Sequence, residues 1–256
     1  MSVRSQFCNL CGEPLGETCQ IFSRVPGDKG LAVCASCAAN ALTCSVCGMP
    51  LRSDADRLSD GRPVCAPCQI TAIDDPVTAR AIYEQVIQIV TSALGLRVYV
   101  RPGFALYSCA GMAALQEHIP HPEFDANTNH HLLGAYIKLG ARREIVVETG
   151  LPRLMMTKVI AHEYGHAWQG ENCPFLLDPV LLEGFCEWIA FRVLGVAGAT
   201  EAQKYQRTVS GFYGDALRVV LAIEETGGAS SVVSRVRSQA RNSLLLSDRL
   251  PTVVMT

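Results

Sequence analysis

Five consecutive residues, His162-Glu163-Tyr164-Gly165-His166, carry the most specific chemistry in this sequence. On a helix, an H-E-x-x-H run places both imidazoles on one face, one turn apart and aimed at a common metal ion. Zinc lowers the pKa of a bound water from about 15.7 to about 7, and a carboxylate in the position of Glu163 can take the proton released. Further along, Leu182-Glu183-Gly184-Phe185 opens a second helical stretch in which Glu183 is the expected third ligand. Three protein ligands leave the fourth zinc position open, as a catalytic site requires. Glu187 follows Glu183 by one turn on the same face, where it can accept the outer N–H of a ligating histidine and fix that ring. Two histidines at helical spacing also arise by chance; the glutamate pair on the next helix is what favours the metal.

Eight cysteines form four C-x-x-C pairs: Cys8/Cys11, Cys34/Cys37, Cys44/Cys47 and Cys65/Cys68. Each pair is a tight turn that lets two sulfurs reach one tetrahedral zinc. Sequential pairing gives one four-thiolate site from the first two pairs and a second from the last two. Closed sites of this kind are structural, and about 10–16 kcal/mol of binding free energy per zinc can hold together a segment that lacks a core. The expected metal complement is therefore one catalytic and two structural zinc ions. Cys19, Cys109, Cys173 and Cys186 have no ligand-spaced partner and are read as packing residues, and His118, His121, His130 and His131 as loop residues.

The elements that must position these groups follow from spacing and punctuation. Residues 1–68 hold nine of the twelve cysteines and little sustained periodicity. Asp75-Pro76 reads as a cap and first helical residue for a helix ending near Gly95, and Arg97 to Arg101, Gly134 to Leu139 and Ile145 to Glu148 read as strands. Gly103 to Asn129 is read as irregular. Helices are expected from Pro152 to Gln169, stopping at Gly170, and from Asp178-Pro179 to Leu194. Another is expected from Thr200, boxed by Gln203, to Gly227-Gly228, and a last one from Ser231. Tyr213, ahead of Tyr205, is the candidate donor to a developing oxyanion, and Gly134 to Leu139 is a candidate edge for substrate backbone.

With 49% hydrophobic and 18% charged residues among 256, the chain can bury a sizeable core. A net charge of −2, and six basic against six acidic residues in positions 1–68, offer no field for phosphates, so neither nucleic acid nor membrane is an expected partner. The start, Met1 to Leu10, shows no apolar run, and a cytoplasmic location is expected.

His166-Ala167-Trp168 and Leu182-Glu183-Gly184-Phe185 resemble the glutamate-zincin peptidases, including relatives of aminopeptidase N. A closer resemblance spans nearly the whole chain. Gly150-Leu151-Pro152-Arg153, Ile160-Ala161-His162-Glu163, His166-Ala167-Trp168, Glu183-Gly184 and Tyr213-Gly214-Asp215 are similar to the plant DA-one family of ubiquitin-activated LIM peptidases. The knuckles resemble LIM domains, with Cys34 in place of their usual histidine. The resemblance implies an α+β, zincin-like peptidase domain over residues 76–256, preceded by a LIM-like two-zinc module over residues 1–68. It implies a zinc metallopeptidase, an endopeptidase, acting on protein or peptide substrates, with ubiquitin or a ubiquitinated protein as a further partner. No ubiquitin-interacting helix is read in this sequence: after Glu224-Glu225, the pair Gly227-Gly228 would weaken such a helix by roughly 2 kcal/mol. The alternative is a LIM-like interaction scaffold on an inactive peptidase fold, against which the presence of Glu163 argues. A metal-dependent hydrolase of non-peptide bonds fits the same ligands.

Overall fold

The computed structural model describes residues 6–23, 30–118 and 131–247, the stretch 243–247 by backbone alone. The chain divides into two compact units. The first comprises Met1–Asp75 with Thr149–Arg153, and the second Pro76–Glu148 with Leu154–Thr256. Among the described residues, no helix is long and apolar enough to cross a membrane.

In the first unit two C-x-x-C-Gly turns share one geometry. Gly12 and Gly48 adopt φ of 78° and 70°, the left-handed region open to glycine. Their N–H groups donate to the carbonyls of Cys8 and Cys44, at 2.9 Å each. Strands β1 (Cys19–Phe22) and β2 (Leu31–Cys34) form an antiparallel hairpin, and β2 runs into helix α1 (Ala35–Asn40). The second half repeats the plan with β3 (Leu42–Thr43) paired to β4 (Pro50–Leu51), then α2 (Ala66–Ile70). Cys34 and Cys65 are the N-caps of these two helices, so each later cysteine pair straddles a helix start. Met49, Leu51, Leu58 and Val64 are buried in the second half. Apart from Cys8, only Ala32 and Val33 are buried among the described residues up to 43. Strand β5 (Ala72–Ile73) is completed by β9 (Leu151–Pro152), which comes from much further along the chain. Arg62 donates to the Thr149 carbonyl at 2.9 Å and the Thr149 hydroxyl donates to Asp74 at 3.0 Å.

The second unit opens with α3 (Pro76–Ala93), where helical periodicity buries Ala79, Ile82, Tyr83, Val86, Ile87 and Val90. The expected strand at Arg97–Arg101 does not form. Its alternating Val-Tyr-Val pattern lies in a loop, where the N–H groups of Tyr99 and Val100 donate to the Glu171 carboxylate and Tyr99 is 91% exposed. The strand falls just beyond, at β6 (Gly103–Tyr107), within a stretch read as irregular, and α4 (Cys109–Gln116) follows it. Strands β7 (Gly134–Leu139) and β8 (Arg142–Glu148) complete a three-stranded sheet of order β6-β8-β7, with β6 parallel and β7 antiparallel to the central β8.

Four helices follow. α5 (Arg153–Asn172) passes through Gly170, because what disfavours helix is Pro174 acting on Cys173 before it. α6 (Pro179–Val196) starts where Asp178 accepts from the N–H groups of Val180 and Leu181, and it runs over Gly195. At α7 (Thr200–Thr208) the expected capping box is absent. Ala199 is the N-cap, and Gln203 instead donates to the Phe191 carbonyl of α6 at 2.6 Å. The helix expected to continue to Gly227 breaks at Gly211, with φ of 92°, before α8 (Phe212–Ser247). α8 crosses the glycine pair with a kink at Gly228, so the separate last helix is its continuation.

Close approach of three helices sets the site. A Cβ on Gly165 of α5 would stand 3.0 Å from the Cα of Cys186 in α6. One on Gly184 of α6 would stand 2.5 Å from the carbonyl oxygen of Ala216 in α8. Phe185 packs against Trp168 in a tilted pair and stacks on Trp188, at centroid distances of 5.1 and 5.6 Å. Because the group opposing Gly184 is backbone, Gly184→Ala is expected to destabilise the unit by about 1–3 kcal/mol through overpacking. Chemical denaturation of the zinc-loaded protein checks this; an unchanged midpoint would show that α6 and α8 separate at no cost.

Candidate metal centre

α5 presents His162 and His166 on one face, and α6 brings Glu183 against them. His162 Nε2 stands 3.1 Å from Glu183 Oε2 and 3.2 Å from His166 Nε2, and His166 Nε2 stands 3.5 Å from Glu183 Oε2. Nitrogen and oxygen ligands about 2.0–2.1 Å from a tetrahedral zinc stand roughly 3.3–3.4 Å apart, so the three residues fit the metal. Cys186 also lies close to both histidines. Its sulfur meets His166 at Nδ1, 3.4 Å away, on the ring edge opposite Nε2, so it is not part of the same ligand set.

The rings are held from behind. Glu187 Oε1 accepts from His162 Nδ1 at 3.1 Å, and Gln169 Oε1 lies 3.2 Å from His166 Nδ1. With Nδ1 protonated in each ring, both Nε2 atoms are left for the metal. Glu187 in turn is held by Lys158 Nζ at 3.0 Å and Gln206 Nε2 at 2.7 Å. Gln169 also donates to the Leu182 carbonyl at 2.8 Å, tying α5 to the residue before Glu183. Gln169 sits three residues after His166 and Lys158 four before His162, helical-neighbour signals the sequence contained; Gln206, on another helix, carried none.

Glu163 is buried, at 8% exposure. Burial raises its pKa above the carboxylate range against the lowering effect of His162 and His166. A Cβ on Gly134 would stand 3.3 Å from Glu163 Cγ, so the start of β7 passes directly over this side chain. Tyr213 stands edge-on to His162 with ring centroids 6.1 Å apart, whereas Tyr205 is 42% exposed on α7.

Electrostatics in the metal-free site run against zinc uptake. Burial disfavours charge on His162, but hydrogen bonds to Glu183 and Glu187 outweigh it and raise the imidazole to about 10. Burial likewise opposes charge on Glu187, yet His162 and Lys158 hold its carboxyl at about 2. Glu183 is held far below the usual range by both histidines in spite of burial. Relative to an unfolded histidine near 6.5, the raised His162 stabilises the metal-free fold fully below about pH 6.5, and that contribution fades as pH rises through about 10. Zinc needs the neutral ring, so uptake must expel the proton. Apparent zinc affinity of this site is expected to rise about tenfold per pH unit between pH 6.5 and 9. Chelator competition across that range checks it, and a pH-independent affinity would count against the His162 pairing.

In the first unit, Cys8, Cys11, Cys34 and Cys37 converge, as do Cys44, Cys47, Cys65 and Cys68. Sulfurs of Cys11 and Cys34 lie 3.9 Å apart and those of Cys47 and Cys65 3.7 Å apart. Thiolates about 2.3 Å from a tetrahedral zinc stand roughly 3.8 Å apart, so the spacing fits. N–H groups of Cys34 and Cys65 point at the sulfurs of Cys8 and Cys44, at 3.4 Å each. Against the cost of burial, such backbone donors bring Cys8 down to about 6, while the neighbouring sulfur of Cys34 pushes Cys37 up to about 12. Four adjacent thiols cannot all ionise by themselves, and a divalent cation removes that conflict. Of the cysteines read as packing residues, Cys173 and Cys186 are buried and Cys19 is exposed. Cys109 lies with His131 and Glu148, a grouping no spacing announced. His118 is exposed, its Nδ1 2.8 Å from the Ala114 carbonyl, and His121 and His130 lie outside the described residues.

Together these residues make a two-histidine, one-glutamate centre and two four-cysteine clusters, all able to hold metal. Residues 135–244 match the family model described as DA1-like, Protein DA1. That stretch contains all of α5, α6 and α7, so the resemblance to the DA-one family covers every residue of the histidine–glutamate centre. Comparison with curated proteins and with solved structures gives no match.

Proposed function

We propose that this chain is a zinc-dependent peptidase of zincin-like architecture, in which His162, His166 and Glu183 hold the catalytic metal. The observation that carries this reading is the triangle of ligand atoms at 3.1–3.5 Å beside a buried Glu163. When bound, zinc supplies a Lewis acid that polarises a scissile carbonyl and acidifies water. Glu163 takes the proton of the attacking water and delivers it to the departing amine nitrogen. Its pKa is raised by burial, which strengthens it as a base toward the attacking water. Glu187 and Gln169 hold the two imidazoles in the tautomer that leaves Nε2 free. Tyr213, beside His162, is the candidate donor to the developing oxyanion.

β7 ends the sheet order and has no second strand partner among the described residues, which suits it to receive an extended substrate backbone. The start of that strand approaches the proton carrier, a Cβ on Gly134 standing 3.3 Å from Glu163 Cγ. The four-cysteine clusters fit two structural zinc ions in a LIM-like module, and the substrate class that follows is protein or peptide. Ubiquitin enters as a partner through the resemblance alone. The test is cleavage of casein or a peptide library by purified, zinc-loaded protein, with Glu163→Gln as the control. No cleavage by the zinc-loaded wild type would favour the inactive scaffold.

A further inference from the structure

We propose that Cys109, His131 and Glu148 form a further zinc site at one end of the three-stranded sheet. Their ligand atoms all lie within 4.8 Å of one another. Cys109 Sγ stands 3.9 Å from His131 Nε2, and the same Nε2 is in direct contact with Glu148 Oε2. A thiolate at about 2.3 Å and an imidazole nitrogen at about 2.0–2.1 Å from tetrahedral zinc stand roughly 3.6 Å apart, close to the first of these separations.

Topology explains the convergence. β6 and β8 are parallel and in register through Tyr107 and Glu148, so both end at the same edge of the sheet. β7 is antiparallel and starts there, with Gly134 opposite Val147. Cys109 follows β6 as the first residue of α4, His131 precedes β7, and Glu148 closes β8. Glu148 N–H donates to the Leu133 carbonyl at 2.9 Å, which fixes the approach to β7 beside it.

Three features favour a metal over the other uses of these residue types. In a nucleophilic Cys–His–Glu relay the thiol and the carboxylate address opposite nitrogens of the ring. Here both address Nε2, so the relay geometry is absent. Glu148 is fully buried against the same Nε2, so its carboxylate is fixed at the His131 ring and kept from bulk water. Cys109 stands at the N-terminal end of α4, where the helix dipole favours a thiolate. A sulfur–nitrogen–oxygen set selects zinc or a similar borderline cation and disfavours magnesium and calcium, which take oxygen ligands. The His131 side chain is 34% exposed, so solvent can reach a fourth position.

The experiment uses the full chain, stripped with a chelator and titrated with Zn2+ alone. Wild type is expected to take up one equivalent more than Cys109→Ala and one more than His131→Ala, counted by native mass spectrometry. Glu183→Ala, which removes a ligand of the histidine–glutamate centre, is expected to lower the count separately and additively. Failure of one assignment is thus distinguishable from failure of the other. Alkylation of Cys109 is also expected to be blocked by Zn2+ in wild type and not in His131→Ala, a readout that stands if Cys109→Ala does not fold. Equal zinc counts in folded wild type and His131→Ala, or alkylation of Cys109 at an unchanged rate with zinc, would overturn the site.

Discussion

Replacing Glu163 by glutamine is expected to lower kcat by about 10²–10⁴-fold, the usual contribution of a positioned general base. Zinc content and the fold should be retained. The substitution keeps the shape of the side chain, and Glu163 contributes no atom to the ligand triangle. It removes only the capacity to carry a proton. KM should change little, because the lost interaction operates in the transition state rather than in substrate binding. Steady-state kinetics on zinc-loaded wild type and Glu163→Gln provide the measurement. Turnover within tenfold of wild type would mean that another group moves the proton.

The second large effect belongs to the cysteine clusters. Structural zinc contributes about 10–16 kcal/mol in comparable sites, as much as the whole stability of a typical domain, about 5–15 kcal/mol. Complete chelation is therefore expected to unfold the cysteine-rich unit, with loss of amide protection along β1 to β4. The two halves should differ in order. Around Cys44, Cys65 and Cys68, Met49, Leu51, Leu58 and Val64 are also buried, whereas the first half buries only Ala32 and Val33 beside Cys8 among its described residues. The first cluster, with Cys11 exposed, should release its zinc first as chelator is raised. Hydrogen exchange during the titration resolves the halves. Retained protection throughout that unit in fully zinc-free protein would show that metal is not what holds it.

What the sequence made legible depended on how local the signal was. The H-E-x-x-H face and the pairing of Glu183 with Glu187 are properties of single helices, so their spacing alone placed the side chains together. C-x-x-C turns are more local still. Signals failed where a third element decided the outcome. The Val-Tyr-Val run at 98–100 has strand composition, but Glu171 takes its N–H groups, and the ladder beside β8 falls to Gly103–Tyr107. Thr200 and Gln203 have capping-box spacing, yet Gln203 bonds to Phe191 on the preceding helix. Gly170 has the composition of a helix stop and not the backbone. Cys109, His131 and Glu148 are far apart in sequence and share no motif. Only the order and direction of three strands bring them to one point.

The returning strand β9 bears on how this protein is made. The cysteine-rich unit is discontinuous: its last ladder pairs Ala72 and Ile73 with Pro152 and Leu151, and Arg62 and Asp74 hold Thr149. Emerging from the ribosome N-terminus first, at about 5–20 residues per second, the chain presents all eight knuckle cysteines several seconds before residue 153 appears. During that interval the knuckles can load metal, but β5 has an open edge and the Arg62 guanidinium lacks its carbonyl. The unit nearest the N-terminus is thus completed late, when Leu151-Pro152 closes its edge and synthesis goes on into the helix that carries His162.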